Sequence, residues 1–328
     1  MIWLTWRQFR TQAAVTGAAL LVVALGLVVL GVRIRASRDG YLAGCAGDCA
    51  DALSRFHLEW ITRLLFIDAG LIVVPGFLGM FWGAPLVARE LEAGTHRLVW
   101  NQSVPRRRWL AVKLLVVGLA GMAATGLLSA LLTWAAAPVD AVAGDRFTAV
   151  VFGARNVVPV AYGGLAVVLG AVLGMAVRRT VPAMALVLVG FVAFQVAMPN
   201  LIRPHLLPPE RVTMAMTGDT LSEVRGLGGL SNRPTVRGVP MGAAWVVSTS
   251  ELRTRDGAAL ATAEFDRCLD AGRFEASLAC LAALDLHVEV AYQPADRYWP
   301  FQWLESALVL VLAAALAAAA LWRVPRTS

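Results

Sequence analysis

Residues 88–114 read ARELEAGTHRLVWNQSVPRRRWLAVKL and separate two long apolar runs. The run before this polar segment covers residues 64–88, and the run after it covers residues 114–139. A helix needs roughly 20 apolar residues to cross a bilayer core of about 30 Å. Both runs are long enough, so the segment between them is predicted to be a loop that joins two membrane spans.

Four further runs of this kind extend the pattern over the whole chain, at residues 11–32, 156–177, 180–202 and 301–322. The composition agrees, since 58% of the 328 residues are apolar, 16% are charged and the mean hydropathy is +0.66. Soluble domains carry roughly a quarter charged residues. We therefore predict an all-α polytopic membrane protein with six transmembrane helices.

The one sizeable polar stretch outside these runs covers residues 203–300. Its second half has β-prone runs at residues 244–249 and 286–292 on either side of a helical stretch at 261–284, whereas its first half is predicted to be irregular. This pattern indicates a small α+β domain between the fifth and sixth helices. The predicted organisation is residues 1–202 with five spans, residues 203–300 as the small domain, and residues 301–328 with the sixth span and a tail.

The basic residues predict the membrane face of each loop, because cytoplasmic flanks retain positive charge during insertion. With both termini inside the cell, the basic flanks on the cytoplasmic side are Arg7, Arg10, residues 89–113, Arg178, Arg179, Arg323 and Arg326. Five arginines in the predicted first outer loop, residues 33–63, weaken this asymmetry. The chain is therefore predicted to be a multi-pass plasma-membrane protein whose small domain is extracellular.

All four cysteines fall on the predicted outer side, where disulfides persist. We expect Cys268 to pair with Cys280, and we leave open whether Cys45 pairs with Cys49. Zinc binding is the alternative use of cysteines, but the histidines form no cluster with ligand spacing. We therefore predict no metal site.

The sequence excludes a nucleotide motor within this chain. A phosphate-binding loop requires Gly-Lys-Ser/Thr, and the single lysine, Lys113, precedes Leu114. Signatures of serine hydrolases and zinc proteases are missing as well. The arginines are spread among apolar segments, which argues against a nucleic-acid-binding face. We predict a protein with no enzymatic activity, cofactor or nucleic-acid partner of its own.

Two segments that contain tryptophan and arginine are predicted to lie at the membrane surface. In residues 1–12, apolar and polar side chains occupy opposite helix faces, which predicts an N-terminal interfacial helix. In the first inner loop, Gly94 permits a sharp turn and Pro105 interrupts the helical ladder. The predicted surface anchors are Trp3, Trp6, Arg7, Arg106, Arg107 and Arg108.

Charges inside the predicted spans are candidates for a transport pathway, because they are costly in hydrocarbon. Asp68 and Glu305 are two such residues. Each lies near the predicted outer boundary, so an interfacial role is the alternative.

Glycine and proline predict where the spans bend and where they pack closely. Pro75 and Gly76 interrupt the second span and predict a hinge next to the first inner loop. Gly170 and Gly174 form a small-xxx-small face on the fourth span, which predicts close helix packing.

The first inner loop resembles that of the integral-membrane permease subunit of ABC transporters, in the type 2 exporter class. The matching residues are Glu90, Glu92, Gly94, Thr95, Leu98, Pro105, Arg106 and Lys113. The chain is also similar to an actinobacterial branch of this class, through WLTWRQ at residues 3–8 and YWPFQW at residues 298–303. The resemblance covers essentially the whole chain.

The resemblance implies that residues 89–113 contain a coupling helix that docks on a separate ABC ATPase. It assigns the coupling role to Glu90, Glu92, Gly94, Thr95, Leu98 and Trp100. ATP and Mg²⁺ would bind to the ATPase, and a second copy or a related permease would complete the exporter. The alternative is that residues 89–113 form an ordinary basic inner loop with a solvated acidic pair and no docking role.

Two other functions fit the same sequence. A membrane-bound sensor or assembly protein would use the disulfide-braced outer domain as its functional part. An ion-coupled carrier is the third hypothesis, and the scarcity of charge within the spans argues against it.

Overall fold

The computed structural model describes residues 2–45, 47–94, 105–142, 144, 146–228, 233–270 and 273–324. For residues 2–9 and 11–13 it describes the backbone alone. The chain divides into two compact units. The membrane unit comprises Met1–Leu206 and Trp299–Ser328, and the small unit comprises Leu207–Tyr298.

Within the described part of the chain, six helices are long and apolar enough to cross a membrane. In chain order, the spans are Ala14–Ala43, Ala50–Glu92, Arg106–Asp140, Val158–Val177, Thr180–His205 and Ala295–Arg323. The prediction of a mostly helical, multi-pass membrane protein with six spans is confirmed. A short helix, Ala149–Ala154, lies between the third and fourth spans.

Large apolar side chains point outward from several spans. Val22 in the first span is 70% exposed, Val189 in the fifth is 66% exposed and Val311 in the sixth is 67% exposed. Contiguous apolar surface of this kind marks a membrane or protein contact, because it is unfavourable in water. These faces fit contact with lipid.

The first two spans extend well beyond their predicted ends. The first helix runs without interruption over Ile2–Ala43, so its N-terminal part is continuous with the first span and has no boundary of its own. The next helix already begins at Ala50, so the loop predicted at residues 33–63 was too long. The added turns are stabilised by polar contacts between the two helices, such as the bond from Trp60 Nε1 to Ser37 Oγ at 3.0 Å.

The second span is built from four consecutive helical segments. They are Ala50–Ile72, Val74–Leu78, a π-helical turn at Gly79–Gly83, and Ala84–Glu92. The break falls just before Pro75, which has no backbone N–H to continue the ladder. Gln195 Nε2 of the fifth span donates to the carbonyl oxygen of Ile72 at 3.3 Å, so this oxygen at the break has a partner.

The fourth span is the centre of the membrane unit, with 14 of its 20 residues buried. It crosses the second span at glycines. A Cβ atom on Gly83 would lie 2.5 Å from the carbonyl oxygen of Val167, and one on Gly174 would lie 2.5 Å from that of Ala84. The two backbones therefore approach closely, as in other small-residue contacts between membrane helices.

The small unit has five strands in its described part: β1 (Glu210–Ala215), β2 (Gly226–Leu227), β3 (Val236–Arg237), β4 (Trp245–Thr249) and β5 (His287–Gln293). A three-stranded antiparallel sheet has the order β1-β5-β4, and β2 pairs with β3 in a two-stranded ribbon. In the sheet, Glu210 pairs with Tyr292 and Trp245 pairs with Gln293. Its helices are Gly218–Glu223, Thr262–Leu269 and Phe274–Ala282.

The core of the small unit forms where β5 meets the helices, around buried Leu221, Phe265, Leu281 and Val290. A disulfide joins Cys268 to Cys280 between two of these helices, and Cys45 is bonded to Cys49 in the membrane unit. Strands β4 and β5 coincide with the predicted β-prone runs.

The prediction of an irregular first half was wrong for the helix Gly218–Glu223 and for β1, β2 and β3. Strand β1 is the longest of these strands. Five of its six residues are exposed, with Met214 half-buried. The strand therefore lacks the alternation of apolar and polar residues by which a strand is recognised in a sequence.

Candidate functional site

The predicted coupling loop begins at the last turn of the second span. Glu90 and Glu92 lie at the end of the helix Ala84–Glu92. Gly94 follows with a φ of 69°, in the left-handed region that glycine adopts without strain. The predicted coupling residues Thr95, Leu98 and Trp100 lie outside the described residues.

Glu90 forms an ion pair with Lys113 of the third span. The distance from Lys113 Nζ to Glu90 Oε1 is 2.5 Å, and Nζ also donates to the carbonyl oxygen of Leu86 at 3.2 Å. The two side chains are only 13% and 4% exposed, for Glu90 and Lys113 respectively. The ammonium group also lies 4.5 Å from the centroid of the Trp109 ring. The pair therefore joins the end of the second span to the beginning of the third.

Glu92 caps the fifth span. Its Oε2 atom accepts hydrogen bonds from the backbone nitrogen of Thr180 at 3.0 Å and from Thr180 Oγ1 at 2.7 Å. Thr180 is the first residue of the fifth span, where backbone N–H groups have no partner inside the helix. A carboxylate is favourable at this position because of the helix dipole. Arg178, with a φ of 60°, reverses the chain between the fourth and fifth spans and so places Thr180 beside Glu92.

The two carboxylates connect one helix end to two different spans. Successive residues of an α-helix are about 100° apart, so residues two positions apart point in nearly opposite directions. Glu90 accordingly contacts the third span and Glu92 contacts the fifth.

The predicted surface anchors Arg106, Arg107 and Arg108 lie at the same end of the membrane unit. Arg107 and Arg108 are exposed and Arg106 is half-buried, on the first turn of the third span. The side chains of Trp3, Trp6 and Arg7 are outside the described residues. We call this the basic end, defined by Arg89, Arg107, Arg179 and Arg323.

Two cavities open near the basic end. The apolar groove, of about 720 Å³, lies between the first, second and fifth spans and is lined by Val15, Thr16, Ala19, Phe81, Pro85, Arg89, Thr180 and Met184. The second cavity, of about 730 Å³, is lined by Leu91, Glu92, Arg178, Arg179, Val181 and Pro182. Glu92 and Thr180, which bond to each other, therefore each line one of the two cavities.

Asp68, a predicted pathway residue, is fully buried at the opposite end of the membrane unit. It forms two hydrogen bonds with Arg155, from Nε to Oδ1 at 2.8 Å and from Nη2 to Oδ2 at 2.6 Å. Arg155 Nη1 also donates to both carboxylate oxygens of Asp140, at 2.7 and 2.8 Å. This network joins the second and third spans to the segment that precedes the fourth.

Glu305, the other predicted pathway residue, lies in a second buried network. It accepts hydrogen bonds from Arg203 Nε at 2.7 Å and from Tyr162 Oη at 2.9 Å. A π-helical turn and a 3-10 turn at the end of the fifth span place Arg203 there, and its guanidinium lies 4.0 Å from the centre of the Phe152 ring. The fourth, fifth and sixth spans are joined as a result.

Gln302 of the sixth span forms hydrogen bonds with the backbone between the two networks. Its Oε1 atom accepts from the backbone nitrogens of Val157 and Val158, and its Nε2 donates to the carbonyl oxygen of Phe152. These residues flank Arg155, so the opposite end of the membrane unit is held by buried polar contacts.

The structure brings some predicted residues together and adds partners that the sequence did not reveal. Glu90 and Glu92 lie on one helical turn, and Pro75 and Gly76 lie beside the break in the second span. Asp68 and Glu305 are in separate networks. The missed partners are Lys113, Arg155, Thr180 and Arg203.

Charge at the ends of the apolar runs was the one available signal for the two missed arginines. Arg155 and Arg203 lie immediately outside predicted spans, and an arginine there can reach inward to a buried carboxylate. Within the described part of the chain, no group of three His, Cys, Asp or Glu side chains has an arrangement that could hold a metal ion.

Comparison with known proteins places the chain in a family. The search of curated proteins and the search of solved structures give no match. Residues 17–203, more than half of the chain, match a family model described as ABC-2 membrane transporter related. The matched region includes the predicted coupling loop and the buried residues Arg155 and Arg203. The chain therefore belongs to the ABC-2 membrane transporter related family.

Proposed function

We propose that this chain is the permease subunit of an ATP-driven ABC exporter in the plasma membrane. A separate ABC ATPase supplies the nucleotide site, with ATP and Mg²⁺, and docks on residues 89–113. Both termini and the basic end face the cytoplasm in this proposal. A second copy of the chain, or a related permease, completes the transporter.

One structural observation supports this proposal beyond the family membership. The helical turn that enters the coupling loop is bonded to the third span through Glu90 and to the fifth through Glu92. A protein that displaces this turn therefore acts on three spans at once. That arrangement is useful in a protein driven by a partner's conformational change.

The close crossing of the second and fourth spans transmits a displacement of the helix Ala84–Glu92 to the fourth span, at the centre of the membrane unit. Gly83 and Gly174 allow backbone contact, so the helix Ala84–Glu92 has little space to slide independently of the fourth span. The break before Pro75 lies beyond this crossing and allows the two halves of the second span to change their angle. We therefore keep Pro75 and Gly76 as the proposed hinge.

The volume and lining of the apolar groove favour an amphiphilic molecule as the transported cargo. Its volume of about 720 Å³ lies in the range of small-molecule pockets, which are mainly apolar with a few polar groups. Arg89 and Thr180 supply polar groups at the basic end, and Val15, Ala19 and Phe81 supply apolar surface. An anionic molecule with a hydrophobic chain fits this groove, because its charged group would lie at Arg89 and its chain against the apolar side chains.

Reconstitution with the ATPase tests the proposal. The chain would be co-purified in lipid nanodiscs with a stand-alone ABC ATPase from the same genome, and the rate of ATP hydrolysis compared with that of the ATPase alone. We expect a stable complex with an altered hydrolysis rate, and weaker complex formation for Trp100→Ala than for the control Trp245→Ala. Failure of the unmodified chain to bind any ATPase would refute the proposal.

A further inference from the structure

The acidic residues of the coupling loop have a role that their contacts define. We infer that Glu90 and Glu92 are positioning residues, which transmit loop movement to the third and fifth spans and do not themselves bind the ATPase. This inference rests on the proposed function. It concerns how the site works once an ATPase is bound.

The burial of Glu90 is the first argument. Its side chain is only 13% exposed and its charge is paired with Lys113, whose side chain is 4% exposed. A partner that used Glu90 would have to break this pair and leave a buried ammonium without its counter-charge, which is strongly unfavourable. Glu90 is therefore better suited to hold the third span than to meet another protein.

The geometry of Glu92 is the second argument. Glu92 is exposed, yet its Oε2 atom is held by two hydrogen bonds from a single residue, Thr180, 88 positions further along the chain. The pair joins the last turn of one span to the first turn of another. A charged acceptor forms stronger hydrogen bonds than a neutral one, so the connection resists separation.

The positions of the two contacts complete the inference. Glu90 and Glu92 are on nearly opposite sides of one helical turn, and each contacts a different span at the basic end. When this turn moves, the third and fifth spans must follow or the contacts must break. Loss of either contact should leave binding of the ATPase intact and uncouple it from the spans.

The experiment separates binding from coupling in the full complex. Complexes in nanodiscs would carry Glu92→Ala, Glu92→Gln, Thr180→Val, or Glu92→Ala with Thr180→Val, and Glu275→Ala would control for removal of an exposed carboxylate. Two quantities would be measured: the Kd for the ATPase, and the change in ATP hydrolysis rate caused by the chain. Thermal unfolding of each variant would identify any that fails to fold.

For Glu92→Ala, we expect an unchanged Kd and a loss of about tenfold or more in the effect on hydrolysis, because the change removes both charge-assisted hydrogen bonds from Thr180. Glu92→Gln keeps an acceptor and should retain most of the effect. Thr180→Val alone removes the hydroxyl bond and keeps the backbone bond, so it should cause a smaller loss than Glu92→Ala. Added to Glu92→Ala it should cause no further loss, because the Thr180 hydroxyl then has no carboxylate to bond. For Glu90, the double variant Glu90→Gln with Lys113→Gln removes both charges, so neither is left buried alone, and it should keep the Kd while it reduces the effect on hydrolysis.

Two outcomes would overturn the inference. If Glu92→Ala raised the Kd tenfold while its unfolding temperature stayed unchanged, Glu92 would be an ATPase contact. If the losses from Glu92→Ala and Thr180→Val were additive, the two residues would act separately. Either result leaves the proposed function standing, whereas failure of the unmodified chain to bind the ATPase removes the proposed function itself.

Discussion

Arg155 and Asp68 form a buried, two-pronged ion pair 87 positions apart in the chain, with hydrogen bonds of 2.8 and 2.6 Å. Arg155 also holds Asp140, so one guanidinium bridges two carboxylates. A carboxylate buried at this depth is tolerated because its charge is compensated and its oxygens are bonded. The pair therefore fixes the second and third spans relative to the beginning of the fourth.

Replacement of Arg155 should be among the most destabilising single changes in the membrane unit. Arg155→Gln leaves Asp68 buried without its counter-charge, and we expect a loss of about 3–5 kcal/mol in the free energy of unfolding. Thermal unfolding in detergent would measure this, with Arg63→Gln as the control. Arg63 pairs with Glu59 at the surface, where an ion pair contributes about 0–1 kcal/mol.

The double variant Asp68→Asn with Arg155→Gln should lose less stability than Arg155→Gln alone. It removes both charges of the fully buried pair, so the one carboxylate that loses its counter-charge is Asp140, whose side chain is 21% exposed. Equal losses for Arg155→Gln and Arg63→Gln would contradict the role given to this network.

The close crossing of the second and fourth spans at Gly83 predicts that the loss of stability caused by a glycine-to-alanine substitution depends strongly on its position. A methyl group at Gly83 would meet the carbonyl oxygen of Val167 at 2.5 Å, so Gly83→Ala must push two backbones apart. We expect a cost of about 1–3 kcal/mol, as for other overpacked sites. Gly26→Ala in the first span is the matched control, because no heavy atom lies within 4 Å of the added methyl group.

The readouts for this substitution are thermal unfolding and the effect of the chain on ATP hydrolysis. Gly83→Ala should lower both, and Gly26→Ala should change neither. If the two variants behaved alike, the close crossing would have no part in stability or coupling.

Binding to the apolar groove can be measured without knowledge of the natural cargo. A fluorescent single-chain lysophospholipid would be titrated against the purified chain. Ala19→Trp fills the groove and Arg89→Gln removes its arginine, so both should weaken binding. The control Val311→Trp, on an exposed face of the sixth span, should leave the affinity unchanged. Equal affinities for all four proteins would exclude the groove as the binding site.

The proposed orientation in the membrane predicts which engineered thiols react from outside the cell. The four native cysteines are paired in disulfides, so an added cysteine is the reactive thiol. With a reagent that does not cross the membrane, Ser231→Cys should be labelled in intact cells, and Ser103→Cys should be labelled only after the cells are opened. Labelling of Ser103→Cys in intact cells would reverse the proposed orientation.

The number of spans could be predicted from the sequence because it depends on a property summed over many residues. About 20 consecutive apolar residues are sufficient to indicate each helix. The ends of the helices depend on single polar contacts, such as that between Trp60 and Ser37, and these extended the first two spans beyond the apolar runs. Strand β1 was missed for a related reason, since its exposed residues carry no pattern.

The sequence predicted which segment forms the candidate site, from its order of acidic residues, glycine, proline and arginines, and the role of that segment stays a prediction. The contacts within the site were not predicted. Thr180 is 88 positions from Glu92, and Arg155 is 87 positions from Asp68. Such pairings are set by how the spans pack, and nothing in the local sequence of either partner specifies them.

Contact between the coupling loop and an ATPase is the most direct test of the account. A photo-reactive amino acid would replace Trp100 in the loop or, as a control, Trp245 in the small unit, and the membranes would be irradiated with the ATPase present. The account predicts a covalent adduct with the ATPase from position 100 and none from position 245. An adduct from position 245, with none from position 100, would contradict it.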